Sequence, residues 1–145
     1  MGIKSIWKSW TTKNEPNDKK MKVSFFNKPI HFNENEMNEQ NVVYKLTTYP
    51  QQRIYIGRTI MPLVQRIHDH VKDSRVDETN RLILLALQEC ESATISVEYK
   101  ANNRTDLINA EKRIIKEYAN NILRKLPNGR RDLLGSYLLN MVGIK

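Results

Sequence analysis

Glu111 occupies a position that needs explaining. Leu107 lies four residues before it, and Ile114 and Ile115 lie three and four after. That spacing is one apolar face of a helix. A carboxylate on such a face costs free energy unless it meets a counter-ion or a metal. Arg66 and His70 are four apart, so a guanidinium and an imidazole share one helical face, beside an apolar stripe of Val64, Ile67 and Val71. Tyr44 and Tyr55 put two phenols on neighbouring strands. Each feature also has a plain structural reading. Glu111 then forms a buried ion pair, with Arg66 for instance. Arg66 and His70 become a solvent-facing basic pair, and the tyrosines pack across a hairpin.

Positioning these groups requires a sheet and at least two helices, and the sequence supplies both. Val42 to Thr48 is β-branched and aromatic, a strand. Tyr49 to Gln52 is a turn and Arg53 to Gly57 a second strand, so the two form an antiparallel hairpin. Pro62 suits a helix first turn, and the following apolar spacing runs to about Lys72. Thr79 to Glu91 reads as a helix with an apolar centre, and Ala93 to Tyr99 alternates as a third strand. Thr105 is the expected cap of a long helix that Pro127-Asn128-Gly129 ends, before a short helix over Leu133 to Val142. Earlier, Val23–Phe26 and Ile30–Phe32 flank Asn27-Lys28-Pro29 as a small hairpin, and Asn33–Asn41 reads as a polar linker. Residues 1–20 read as an arm or a short amphipathic helix.

The fold class is therefore α+β, a three-stranded antiparallel sheet flanked by helices. Residues 1–40 form an N-terminal extension and 41–128 the main domain. Residues 129–145 form a C-terminal helix packed on that domain. A length of 145 residues suits one domain, and 39% hydrophobic residues with 5 Gly and 5 Pro exclude collagen-like and low-complexity classes. One cysteine, Cys90, cannot form an internal disulfide, which points to a reducing, cytoplasmic setting. No apolar run is long enough for a membrane span, and Lys4 and Lys8 interrupt any signal peptide. The formal charge of +8 and a pI near 9.6 are the electrostatic footprint of a polyphosphate binder. The surplus concentrates after residue 100, where Arg124, Lys125, Arg130 and Arg131 cluster.

Val42-Val43-Tyr44, then Tyr55-Ile56-Gly57, Arg66, His70 and a helical Glu111 resemble the GIY-YIG endonuclease family. The likeness covers roughly Asn41 to Asn128. The second triplet is intact, whereas Val-Val replaces Gly-Ile in the first. Nine residues from Gly57 to Arg66, about one more than the family pattern, point to an altered turn at Met61-Pro62. Arg58 follows the second triplet, where the family often has Lys, Gln or Ser. Asn128 is the candidate for the asparagine that follows the family's glutamate helix.

What the resemblance implies is a metal-dependent hydrolysis of DNA phosphodiester bonds without a covalent intermediate. Glu111 would hold one divalent cation, Mg²⁺ with Mn²⁺ as a substitute, because a single carboxylate plus waters and phosphate oxygens suits that ion. Arg66 would bind the phosphate through its planar donors. Tyr44 is the candidate general base, Tyr55 orients water or phosphate, and His70 helps deprotonate Tyr44 or contacts the phosphate. Arg58, Arg124, Lys125, Asn128, Arg130 and Arg131 are the candidate DNA contacts. The compact layout resembles free-standing phage nucleases that degrade host DNA. A type II restriction endonuclease and a non-catalytic nucleic-acid-binding module are the alternatives. Since one site cuts one strand, a homodimer or higher homo-oligomer is the expected route to a double-strand break.

Overall fold

The computed structural model of the chain describes residues 20–25, 28–72 and 78–141. Five strands form one mixed sheet: β1 (Lys20–Phe25), β2 (Lys28–Asn33), β3 (Val42–Tyr49), β4 (Arg53–Thr59) and β5 (Ser92–Lys100), in the order β1-β2-β5-β3-β4. Its antiparallel part, β4-β3-β5, is the expected three-stranded unit. The early hairpin, β1 with β2, extends that unit because β2 pairs in parallel with β5 through Ile30 to Phe32. The hairpin is expected from the sequence but not its place in the main sheet, since a parallel pair joins segments far apart along the chain and has no local signature. The arm or short helix expected over residues 1–20 lies outside the described residues, Lys20 apart.

Helices cover both faces. On one face, α1 (Leu63–Lys72) and α2 (Glu78–Glu89) pack over Tyr44, Leu46, Tyr55 and Ile95. On the other, α3 (Arg104–Lys125) packs Leu107, Ala110 and Ile114 against Val43 and Ile56. In α2, Ile83, Ala86 and Leu87 are buried but Leu85 is exposed, so the helix has one apolar face rather than an apolar girdle. Cys90, just past its end, is a free, buried thiol. No helix among the described residues is long and apolar enough to cross a membrane.

Three local devices fix the helices that matter for the cleft. The Asn33–Asn41 stretch, read as a linker, is a bracket: Glu34–Glu36 form a 3-10 turn and Met37 is buried. The carbonyls of Glu39 and Met37 accept from the Leu63 and Val64 amides at 3.0 and 2.9 Å. They satisfy first-turn donors of α1 that have no partner within the helix. The cap of α3 is Asn103, not Thr105, because the Asn103 backbone is still extended and its side chain accepts from Asp106 N at 2.9 Å. Asp106 in turn accepts from the Tyr99 hydroxyl at 2.9 and 3.0 Å, which ties the start of α3 to β5.

The chain closes with a 3-10 turn at Arg131–Leu133, the short helix α4 (Leu134–Tyr137) and a further 3-10 turn at Leu139–Met141. Val142 lies outside the described residues. Leu138 bridges Ile54 at the free edge of β4. The Asn140 carboxamide accepts from Ile56 N and donates to Ile56 O, both at 2.8 Å. Together with the Leu138 bridge, this side chain stands in for a neighbouring strand along the outer edge of β4. Replacing Asn140 by Ala removes two hydrogen bonds and should lower stability by about 2 kcal/mol, read as a reduced urea midpoint. Asn128→Ala, an exposed change, should leave the midpoint within about 0.5 kcal/mol of the natural chain.

Candidate functional site

Tyr44 on β3 lies opposite Gly57 on β4. A Cβ at Gly57 would sit 2.5 Å from both the Cζ and the hydroxyl oxygen of Tyr44, and 2.7 Å from Cε2 of Tyr55. Those distances are far inside van der Waals contact, so glycine is required by the close approach of a ring to the backbone. The tyrosine rings stand 6.2 Å apart between centroids at 55°, a tilted aromatic pair. Val42 and Val43, which replace Gly-Ile, are wholly buried; two β-branched side chains fill core space there. Beside Tyr44 the β3–β5 register shifts: Val43 faces Tyr99 and Tyr44 faces Val97, which leaves Glu98 as the extra residue of a bulge.

Burial holds the Tyr44 phenol well above the ordinary tyrosine range. Tyr55 and Glu111 push in the same direction, while the Arg66 guanidinium, hydrogen-bonded to the phenol, draws it down. The ionisation of one phenol thus senses Tyr55, Arg66 and Glu111 together. Arg66 comes from α1, reached by the turn after β4. There the Thr59 hydroxyl donates to the Met61 carbonyl at 3.2 Å and accepts from the Met61 amide at 3.0 Å. Such side-chain-to-backbone bonds fix the path of the turn. The helical backbone continues through His70, whose side chain is outside the described residues.

Glu111 approaches from the opposite face of the sheet. Its Oε1 accepts from Arg58 Nη1 at 2.5 Å. The Glu111 side chain is 15% exposed and that of Arg58 42%. The ion-pair reading of Glu111 is therefore realised with Arg58 rather than Arg66. Alternation along β4 explains the choice: Ile56 belongs to the core under α3 and Tyr55 to the other core, so Arg58, two beyond Ile56, reaches α3. The two faces meet in a cleft of about 190 Å³ lined by Arg58, Thr59, Met61, Arg66, Arg104 and Leu107, with Ile60 at its rim. Arg104 was missed in the sequence. Its signal was present, since 104, 107 and 111 fall at i, i+3 and i+7 of one helix face.

The basic cluster lies elsewhere. Arg124 and Lys125 close the last turn of α3, about 20 Å along the helix from Glu111 at 1.5 Å per residue. Gly129, at φ 80°, completes the turn that follows, where Arg130 N donates to Pro127 O at 3.0 Å. Asn128 and Arg131 line a second cleft with Leu123 and Leu126, and Arg130 pairs with Asp132 at 3.4 Å. Asn140, which sequence reasoning missed, is the asparagine bonded to β4 behind Arg58.

Among the described residues no three His, Cys, Asp or Glu side chains gather into a metal cage. A lone, partly exposed carboxylate at the margin of an arginine-lined cleft fits a hard cation that takes one protein oxygen and keeps its waters.

A family model described as the GIY-YIG catalytic domain matches residues 40–125. No curated protein matches the chain, and neither does any solved structure.

The raised phenol has a consequence for alkaline stability. A folded-state tyrosine pKa above the unfolded value of about 10 adds stability that is complete below pH ~10 and is lost as pH rises further. The urea midpoint of the natural chain should therefore fall above pH 10. Tyr44→Phe, which removes this proton, should show a shallower fall over the same range.

Proposed function

The chain belongs to the GIY-YIG nuclease family, and from that premise we propose that it is an endonuclease hydrolysing DNA phosphodiester bonds with Mg²⁺, for which Mn²⁺ can substitute. The observation that supports this reading is the closeness of Arg66 and Glu111 to one phenol: Arg66 hydrogen-bonds Tyr44, and the Tyr44 hydroxyl responds to both the guanidinium and the carboxylate.

A phosphodiester resists attack because its charge repels nucleophiles and its leaving alkoxide is poor. Hydrolysis needs a base for water and donors for the charge that develops. Glu111 would hold the cation, which supplies Lewis-acid stabilisation of the phosphate and the leaving oxygen. Arg66 binds the phosphate through its planar fork, with Arg58 and Arg104 on the same cleft. Tyr44 takes the proton of the attacking water, and its contact with Arg66 offsets part of the burial that keeps the phenol protonated. Tyr55, packed at a tilt against Tyr44, orients water or phosphate. His70, four residues after Arg66 on α1, assists in deprotonating Tyr44 or contacts the phosphate.

Arg124, Lys125, Asn128, Arg130 and Arg131 extend the binding path. At about 3.4 Å per base step, the ~20 Å from Glu111 to the end of α3 corresponds to about six steps of a duplex. We take residues 41–128 as the catalytic domain, with 1–40 as an extension and 129–145 packed on it. The role that fits is a free-standing, phage-type nuclease that degrades DNA in the cytoplasm of a bacterial or phage-infected cell. A homodimer or sequential nicking gives double-strand breaks. Cut ends that share one sequence would favour a type II restriction endonuclease instead.

Supercoiled plasmid should be nicked or linearised with Mg²⁺ and left intact without it. Glu111→Ala should lose cleavage by at least a hundredfold while retaining DNA binding, on the ~2.7 kcal/mol or more that such a charge-stabilising group supplies. Binding without cleavage by the natural chain, under every divalent cation, would reduce the protein to a binding module. Arg130→Ala with Arg131→Ala should weaken DNA binding and lower the slope of log K against log salt by about 2, as two phosphate contacts are removed.

A further inference from the structure

The Arg58–Glu111 pair poses a conflict for the reading above, on which this inference rests. Glu111 is the carboxylate proposed to hold the cation, yet its Oε1 already accepts a charged hydrogen bond of 2.5 Å from Arg58, which lines the cleft. A guanidinium and a divalent cation cannot both sit close to one carboxylate without repelling each other. In the free protein, Arg58 therefore opposes a cation at Glu111 in two ways: it occupies the oxygen and it adds a positive charge beside it.

The same side chain has somewhere else to go. Arg58 is 42% exposed and lines the cleft with Arg66 and Arg104, so a phosphate entering there meets its donors directly. Guanidinium with phosphate is a bidentate, charge-assisted pair, at least the equal of the single contact to Glu111. The strand position that aims Arg58 at α3 is fixed, because Asn140 clamps Ile56 two residues before it. Only the long side chain needs to move.

We infer that Arg58 is a positioning residue that exchanges Glu111 for a DNA backbone phosphate, and so couples cation binding to substrate binding. The free protein holds Glu111 neutralised and in place. Phosphate draws Arg58 away, and the released carboxylate then accepts the cation in the cleft that contains the bond to be cut. Coupling of this kind is reciprocal: DNA raises cation affinity by the factor by which the cation raises DNA affinity.

The test is calorimetric titration with Ca²⁺, an oxygen-seeking probe, into the free full-length chain and its variants. Arg58→Met should bind Ca²⁺ about tenfold more tightly than the natural chain, the scale of a typical coupling. Arg58→Lys, which keeps the charge, should remain near the natural value, and Glu111→Gln should abolish the tight binding of Arg58→Met. With a saturating 20-base-pair duplex, the natural chain should gain Ca²⁺ affinity by a larger factor than Arg58→Met does. Urea midpoints establish that each variant is folded. Equal or weaker Ca²⁺ binding by folded Arg58→Met, or Ca²⁺ binding by neither protein, overturns the exchange. Failure of the natural chain to bind any duplex sinks the nuclease reading instead, and the free-protein titration still decides whether Arg58 blocks Glu111.

Discussion

A missing side chain governs the geometry of the cleft. Gly57 leaves a hole in the β4 surface, and the Tyr44 ring lies in it, closer to the backbone than any Cβ would allow. With the ring there, its hydroxyl lies over Gly57 and is hydrogen-bonded by Arg66. Even alanine at that position would force a fully buried aromatic out of place, and a close-packed interior offers it nowhere to relax. The intact Tyr55-Ile56-Gly57 triplet is thus one device. The tyrosine packs at a tilt against Tyr44, the isoleucine anchors the opposite core and the glycine admits the phenol.

Electrostatics then sets the character of the site. Three arginines line a small cleft and a single carboxylate stands at its margin. An anion entering the cleft resolves the arginines' mutual repulsion, which is why phosphate chemistry suits it better than a cationic or neutral ligand does. The tyrosine pair adds a low-dielectric wall. Burial there holds the Tyr44 phenol above its ordinary range, and the Arg66 guanidinium beside it pulls the other way.

Much of this was legible in the sequence because it depends on short-range spacing. The hairpin, the helix with Arg66 and the long helix with Glu111 follow from alternation and from the helical repeat, and they place the tyrosines, Arg66 and Glu111 on the right elements. What stayed hidden depends on long-range encounters. Glu111 needs a partner by elementary desolvation, but its choice of Arg58 follows from which face of β4 points at α3. Asn140 is 84 residues from Ile56, and nothing local distinguishes it from Asn128 in its exposed turn. The capping error at α3 is of another kind. Asn103 and Thr105 are both competent caps, and the Tyr99–Asp106 contact with β5 selects the earlier one.

The stretch that matches the family ends at residue 125 and begins at 40, yet the scaffold of the cleft reaches past both limits. On the amino side, carbonyls of residues 37 and 39 hold the first turn of the helix that carries Arg66. On the carboxyl side, Leu138 and Asn140 cover the open edge of the strand that carries Tyr55, Gly57 and Arg58. An edge strand is the least constrained part of a sheet, and here it bears three of the residues that must stay in register with Tyr44 and Glu111. A fragment trimmed to 40–125 would keep Tyr44, Tyr55, Arg58, Arg66, Arg104 and Glu111 and lose the contacts that fix two of the elements presenting them. The proposed site residues lie in the central segment, whereas contacts from the flanks hold the elements that carry them.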